Sequence, residues 1–209
     1  ITSPANGISI VPATPADGHQ GVVGAGFIME QAATSSVMEF NQADLYCYGF
    51  TLRNTLSNTS AGRAGRTSAA SGFLLDSLIA ISGVTGAATS GFTISRAAGS
   101  EVRNCLFINN LDTSNGGAAA SADARNTSVR FNNNTCIAIN DPGFVPTNTW
   151  GSSNDWSNNI GYSRDGEGWG AVSGVSPDAL NNASSSGVCG GTDPVLNITE
   201  DAFVNLPDG

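Results

Sequence analysis

Four short stretches of this chain repeat one motif. GFTL (Gly49–Leu52), GFTI (Gly91–Ile94), NCLF (Asn104–Phe107) and TCIA (Thr135–Ala138) each set a turn residue ahead of a short strand-like run. The first three carry apolar side chains at alternate strand positions, the pattern of a half-buried strand. Asparagine follows several of them, at Asn54, Asn109-Asn110 and Asn140. From Cys105 to Cys136 is 31 residues, and from Asn134 to Asn159 is 25. A loose repeat of roughly 20–30 residues built on short strands is the mark of a solenoid.

Helix signals do not compete. Apolar residues nowhere recur at helical spacing over three turns, and even FLLDSLIAI (Phe73–Ile81) is short and bounded by Gly72 and Gly83. Strands are expected at Val22–Ile28, Val37–Phe40, Leu45–Leu52, Phe73–Ile81, Phe92–Ser95, Val102–Ile108, Val129–Phe131 and Cys136–Ile139. The fold class is therefore all-β, a parallel β-helix of stacked coils. Regular coils are expected over about 8–142 and an irregular capping part over about 143–209, within one domain. Two low-complexity stretches, Ser57–Gly72 and Thr113–Ala124, read as loop insertions on one face.

The stretch VRFNNNTCIAIN (Val129–Asn140) then makes sense. Strands disfavour asparagine, and a tight hairpin would want a glycine that is missing here. A bend between two strands of one coil accepts it, because asparagine tolerates left-handed backbone. Equivalent residues of successive coils stack about 4.8 Å apart, close enough for side-chain amides to pair as a ladder. Asn133 or Asn134 is the expected rung, with Asn104 one coil earlier and Asn159 one coil later. An Asn-rich loop of a β-sandwich is the alternative. Cys105 and Cys136 are expected on adjacent coils, at Cα separations of about 5 Å. Stacked side chains point the same way, so both are expected as buried free thiols.

Composition narrows the partners. The chain has 209 residues, 17 acidic and eight basic side chains, all arginine, giving net charge −9 and a pI near 4.2. That argues against nucleic acid and anionic membrane. No apolar run reaches the roughly 20 residues that span a bilayer. Four cysteines without a C-x-x-C pair, and a single histidine, His19, leave no expected metal site. No cofactor is expected either: GVVGAG (Gly21–Gly26) has neither dinucleotide nor P-loop spacing and precedes no helix. The chain opens on Ile1 without a signal-peptide pattern, which suggests a trimmed piece of a longer protein.

ADGHQGVVGAGF (Ala16–Phe27), YGFTLRN (Tyr48–Asn54), VRNCLFINN (Val102–Asn110), NNTCI (Asn133–Ile137) and NNIG (Asn158–Gly161) resemble the right-handed parallel β-helix repeat proteins of phage genomes and environmental bacteria. The tail, DALNNASSSG (Asp178–Gly187) and TDPVLNITEDAFVNLPDG (Thr192–Gly209), resembles the same family. The wider pectate-lyase-like and tailspike-like superfamily includes tailspikes, polysaccharide lyases, glycoside hydrolases and inert virion proteins, and fold does not choose among them. The resemblance implies a virion-surface structural or adhesive protein: a capsid decoration, fibre or tailspike-like module. Its partners would be itself as a homotrimer, other virion proteins and host-surface polysaccharide. A secreted or virion-borne polysaccharide-degrading enzyme is the alternative.

For that enzyme the local carboxylate pair is Asp165 and Glu167 in SRDGEGW. Glycosidases of this kind use two such groups. His19 is a possible acid or base, although between two glycine turns it reads better as a residue ordering an early loop. Glu30, Glu39, Asp44, Asp76 and Glu101 could meet across coils, and Arg96, Arg103 and Arg130 could serve a lyase as bases. Trp150, Trp156 and Trp169 are the candidate sugar-stacking rings. With no lysine and carboxylates scattered among glycines, the expectation is binding or assembly rather than catalysis.

Overall fold

The computed structural model of the chain describes residues 7–19, 21–59, 62–67, 71–84, 90–95, 98–111, 118–123, 129–140, 142–147, 155–165, 168–169, 180–185 and 195–196. They wind as a parallel β-solenoid of about four turns. The first face stacks Ile8–Ile10, Leu45–Tyr48, Leu74–Asp76, Ser100–Arg103 and Val129–Asn132. The second runs from Ile28–Gln31 through Thr51–Thr59, Ile79–Val84, Leu106–Asn109, Thr135–Ala138 and Ile160–Ser163 to Ala183–Ser184 and Val195–Leu196. The third stacks Ser36–Phe40, Arg63–Thr67, Ser90–Ser95, Ala118–Asp123 and Phe144–Thr147. The all-β solenoid expected from the repeats is the fold observed.

Three of the expected strands are each two. Leu45–Leu52, Phe73–Ile81 and Val102–Ile108 break at Gly49, Ser77 and Asn104, whose φ angles are 73°, 55° and 55°. The break recurs at Asn133, Asn158 and Asn181, with φ of 57°, 59° and 52°. Register shows that these residues form one column: Tyr48, Asp76, Arg103 and Asn132 align just before it, and Thr51, Ile79, Leu106, Thr135 and Ile160 just after. Left-handed backbone costs an ordinary residue about 1–2 kcal/mol, while glycine and asparagine enter it readily. Inward positions shift by one residue at such a corner, from Leu75 to Leu78 and from Val102 to Cys105; apolar residues stand on both sides of it, so a strand count runs through.

The asparagine triplet divides along this geometry. Asn132 ends the first face, Asn133 makes the corner, and Asn134 turns inward and is fully buried. It also corrects the cysteine alignment. Cys136 pairs with Phe107, and the coil equivalent of Cys105 is Asn134, 29 residues on. The two cysteines therefore do not stack on each other. Cys47, Cys105 and Cys136 are buried and free, and Cys189 lies outside the described residues.

The two low-complexity stretches also hold strands, Arg63–Thr67 and Ala118–Asp123, both on the third face. Their small residues are a packing requirement. A Cβ on Gly65 would collide with the Phe92 ring, and Ala118, Ala119 and Ala120 are no more than 2% exposed. Rings fill the volume opposite: Phe92–Phe107, Phe107–Phe131 and Phe131–Phe144 have centroids 5.0, 6.0 and 4.7 Å apart. At the other end of the chain Val22–Ile28 is not a strand. Gly21, Gly24 and Gly26 have φ of 77°, 83° and 72° and fold the segment into turns, and the strand begins at Ile28. Past residue 143 the described strands continue the same stack, with Ile160–Ser163 on Thr135–Ala138 and Ala183–Ser184 on Ile160 and Gly161.

Candidate functional site

Along the first face, alternate residues point away from the core and line up coil to coil. One row runs Tyr46, Leu74, Glu101, Arg130, Asp155 and its neighbour runs Tyr48, Asp76, Arg103, Asn132. Tyr46 and Tyr48 stack with centroids 6.3 Å apart and an interplanar angle of 25°. Burial foremost, then the charge of Asp76, pushes the Tyr46 hydroxyl above its ordinary value.

Asp76 is the centre of this strip. It is 3% exposed, and its Oδ2 accepts from Arg103 Nε at 3.0 Å, while Arg103 Nη2 lies 2.9 Å from it. Its Oδ1 accepts from Asn104 Nδ2 at 3.0 Å and from the Ser77 hydroxyl at 2.9 Å. Arg103 reaches on to Glu101 at 3.3 Å. Farther along, Asp155 accepts from Asn132 Nδ2 at 3.2 Å and from the Ser157 hydroxyl at 2.9 Å. A buried carboxylate that is paired and hydrogen-bonded on both oxygens is held in place. Its lone pairs are already engaged, so Asp76 positions Arg103 and the corner from beneath the surface.

The other expected site residues fall elsewhere. His19 is 7% exposed; its Nδ1 accepts from the Gly21 N–H at 2.8 Å and its Nε2–H donates to the Ser77 carbonyl. It ties an early turn to the corner column. Asp165 is exposed and pairs with Arg164 Nε at 2.8 Å, while Glu167 lies outside the described residues. Trp150 lies outside them too. Trp156 and Trp169 are 3% and 2% exposed and pack on Phe144 at 4.7 and 5.1 Å. These two rings close the end of the aromatic core, and neither offers a face for a sugar. Arg96 is outside the described residues, and Arg130 stands in the first row of the strip.

The asparagine ladder lies just inside the corner. Asn134 Oδ1 accepts from the Cys105 N–H at 3.0 Å. Asn159 Oδ1 accepts from the Asn134 N–H and Nδ2 at 2.9 and 3.2 Å, and Asn182 Oδ1 does the same for Asn159 at 2.9 and 3.2 Å. Each amide also donates across the corner, to the carbonyls of Val102, Phe131 and Trp156 respectively. Asn104 and Asn133 belong instead to the left-handed column beside it. Asn182, Asp155 and the tyrosine pair were missed from sequence, although the doublet Asn181-Asn182 and the alternation Tyr46-x-Tyr48 were there to be read. Among the described residues no group of three or more His, Cys, Asp or Glu side chains is placed to hold a metal ion.

Comparison of the chain with protein families, with curated proteins and with solved structures gave no match.

Proposed function

We propose that the chain is a structural or adhesive module on the surface of a bacteriophage virion (a capsid decoration, fibre or tailspike-like element) whose first face contacts host-surface polysaccharide. The observation that carries this reading is the first-face strip, where buried Asp76 fixes the partly exposed Arg103 near the half-open ring of Tyr48. Aromatic faces next to fixed donors and acceptors suit polyhydroxylated ligands. The resemblance of the repeats to phage β-helix proteins supports the setting, and net charge −9 supports a protein that avoids nucleic acid.

The test is a binding screen against bacterial surface polysaccharides, run with reducing-sugar and unsaturated-product assays. Retention on a polysaccharide, lost in Tyr48→Ala and without product, is the expected result. Product formation that disappears in Asp165→Asn or Glu101→Gln would replace this reading with a polysaccharide-degrading enzyme.

A further inference from the structure

On the third face, two consecutive residues turn inward in each of three adjacent strands. Ala64 and Gly65, Gly91 and Phe92, and Ala119 and Ala120 are all buried. The side chains flanking each pair therefore share the outer side, three residues apart. Ser90 shows the result, with its hydroxyl 2.9 Å from Thr93 Oγ1 and 2.6 Å from Ser121 Oγ. One coil earlier the same two positions are Arg63 and Arg66, since Gly65 pairs with Phe92 and Arg66 with Thr93. Neither guanidinium has a carboxylate partner among the described residues. Glu39 pairs in register with Arg66, but its Oε2 accepts instead from Asn41 Nδ2 at 3.4 Å. Arg63 Nε is buried and finds no hydrogen-bond partner. Burial foremost, then the charge of Arg66, lowers the Arg63 guanidinium from its ordinary value, while Glu39 acts the other way. A buried donor on a cation is costly until something accepts from it.

We propose that Arg63 and Arg66, with the Thr93 hydroxyl beside them, form a binding site for an oxyanion: a carboxylate, sulfate or phosphate group. Two like charges on one side of a strand repel each other, and an anion set between them removes that cost. Each guanidinium is a planar fork of donors that matches two oxygens of one group. Arg63 is only partly buried, so its head can turn to bring Nε–H and an Nη–H to bear together. Thr93, next to Arg66 in register, adds a neutral hydroxyl that donates to an oxyanion. With net charge −9 the field of the whole chain does not gather anions, so selection rests on this local pair. The site is on the third face, apart from the Asp76 strip, and stands whether or not that strip binds polysaccharide.

Titration of the whole chain with sodium sulfate tests it, at ionic strength held constant with sodium chloride and read by calorimetry and by the Arg63 Nε–H resonance. Saturable binding with a shift of that resonance is expected. Arg66→Gln should weaken it about tenfold, the effect of losing one charged donor. Arg63→Lys keeps the charge without the fork and should weaken it as well, which a diffuse positive patch would not. Arg53→Gln removes an arginine already paired with Glu30 and should leave binding unchanged. Arg66 is exposed, so its replacement spares the core, and circular dichroism checks that each variant keeps its strands. Glucuronate and inorganic phosphate, titrated in parallel, tell a sugar carboxylate from a free ion as the source, the tighter of the two naming it. An Nε–H resonance that does not move, a response that chloride reproduces, or an Arg66→Gln variant that binds as tightly as the wild type would each overturn the site.

Discussion

Asn159 shows how much one amide carries in this fold. It accepts twice from Asn134, donates to Phe131 and hands its own N–H to Asn182, all at 1% exposure. Asn159→Leu would leave the Asn134 N–H and the Phe131 carbonyl buried without partners, at about 1–3 kcal/mol each. We expect a loss of roughly 3–5 kcal/mol in urea unfolding; a change below about 1 kcal/mol would sink the ladder as a stabilising element. The thiols make a second residue-scale case. Burial pushes Cys47 and Cys105 up to about 12 from 9.0, and Cys136 well above it. The folded thiols keep their protons while the unfolded ones lose theirs, so the contribution is intact below pH 9 and is lost as pH rises from 9 towards 12. For Cys105 the full shift corresponds to about 4 kcal/mol. Stability measured across that window should fall less steeply in Cys105→Ala than in the wild type, the difference isolating this thiol from Tyr46, whose raised value acts in the same direction. Equal slopes would contradict it.

At the scale of the element, the corner is the unit that repeats. Asn133→Gly should leave stability within about 0.5 kcal/mol, while Asn133→Val, branched and forced to φ near 57°, should cost at least about 1–2 kcal/mol. Equal midpoints for the two variants would mean that the corner imposes no backbone demand. The element pattern was partly legible beforehand. Turn residue, short strand and asparagine recur often enough to name the solenoid, and the ladder rungs Asn134 and Asn159 followed from stacking. Two strands of the third face, Arg63–Thr67 and Ala118–Asp123, were hidden because they are rich in small residues, which look like loop; Gly65 among them clears space for Phe92. The first-face strip was hidden for another reason. Asp76 and Arg103 lie 27 residues apart and meet only once the coils are in register; the alignment of Cys105 with Cys136 put the following coil two positions out.

For the whole molecule, stability is close to a sum over stacked coils, so damage at one interface should stay local. Inserting a single alanine between Asn134 and Thr135 would turn every later side chain of Thr135–Ala138 to the opposite side. Native-state hydrogen exchange should then lose protection over that strand and Ile160–Ser163 while Leu45–Tyr48 stays protected; uniform loss would instead mean that the coils unfold as one. Along the ladder, Cys105, Asn134, Asn159 and Asn182 follow one another at 29, 25 and 23 residues, yet they remain aligned. The coils behave like pages of unequal width bound at one spine. Length is free to change at the outer margins, and the binding holds the pages in order, so a descendant of this chain could grow or trim its margins without rewriting what lies at the spine.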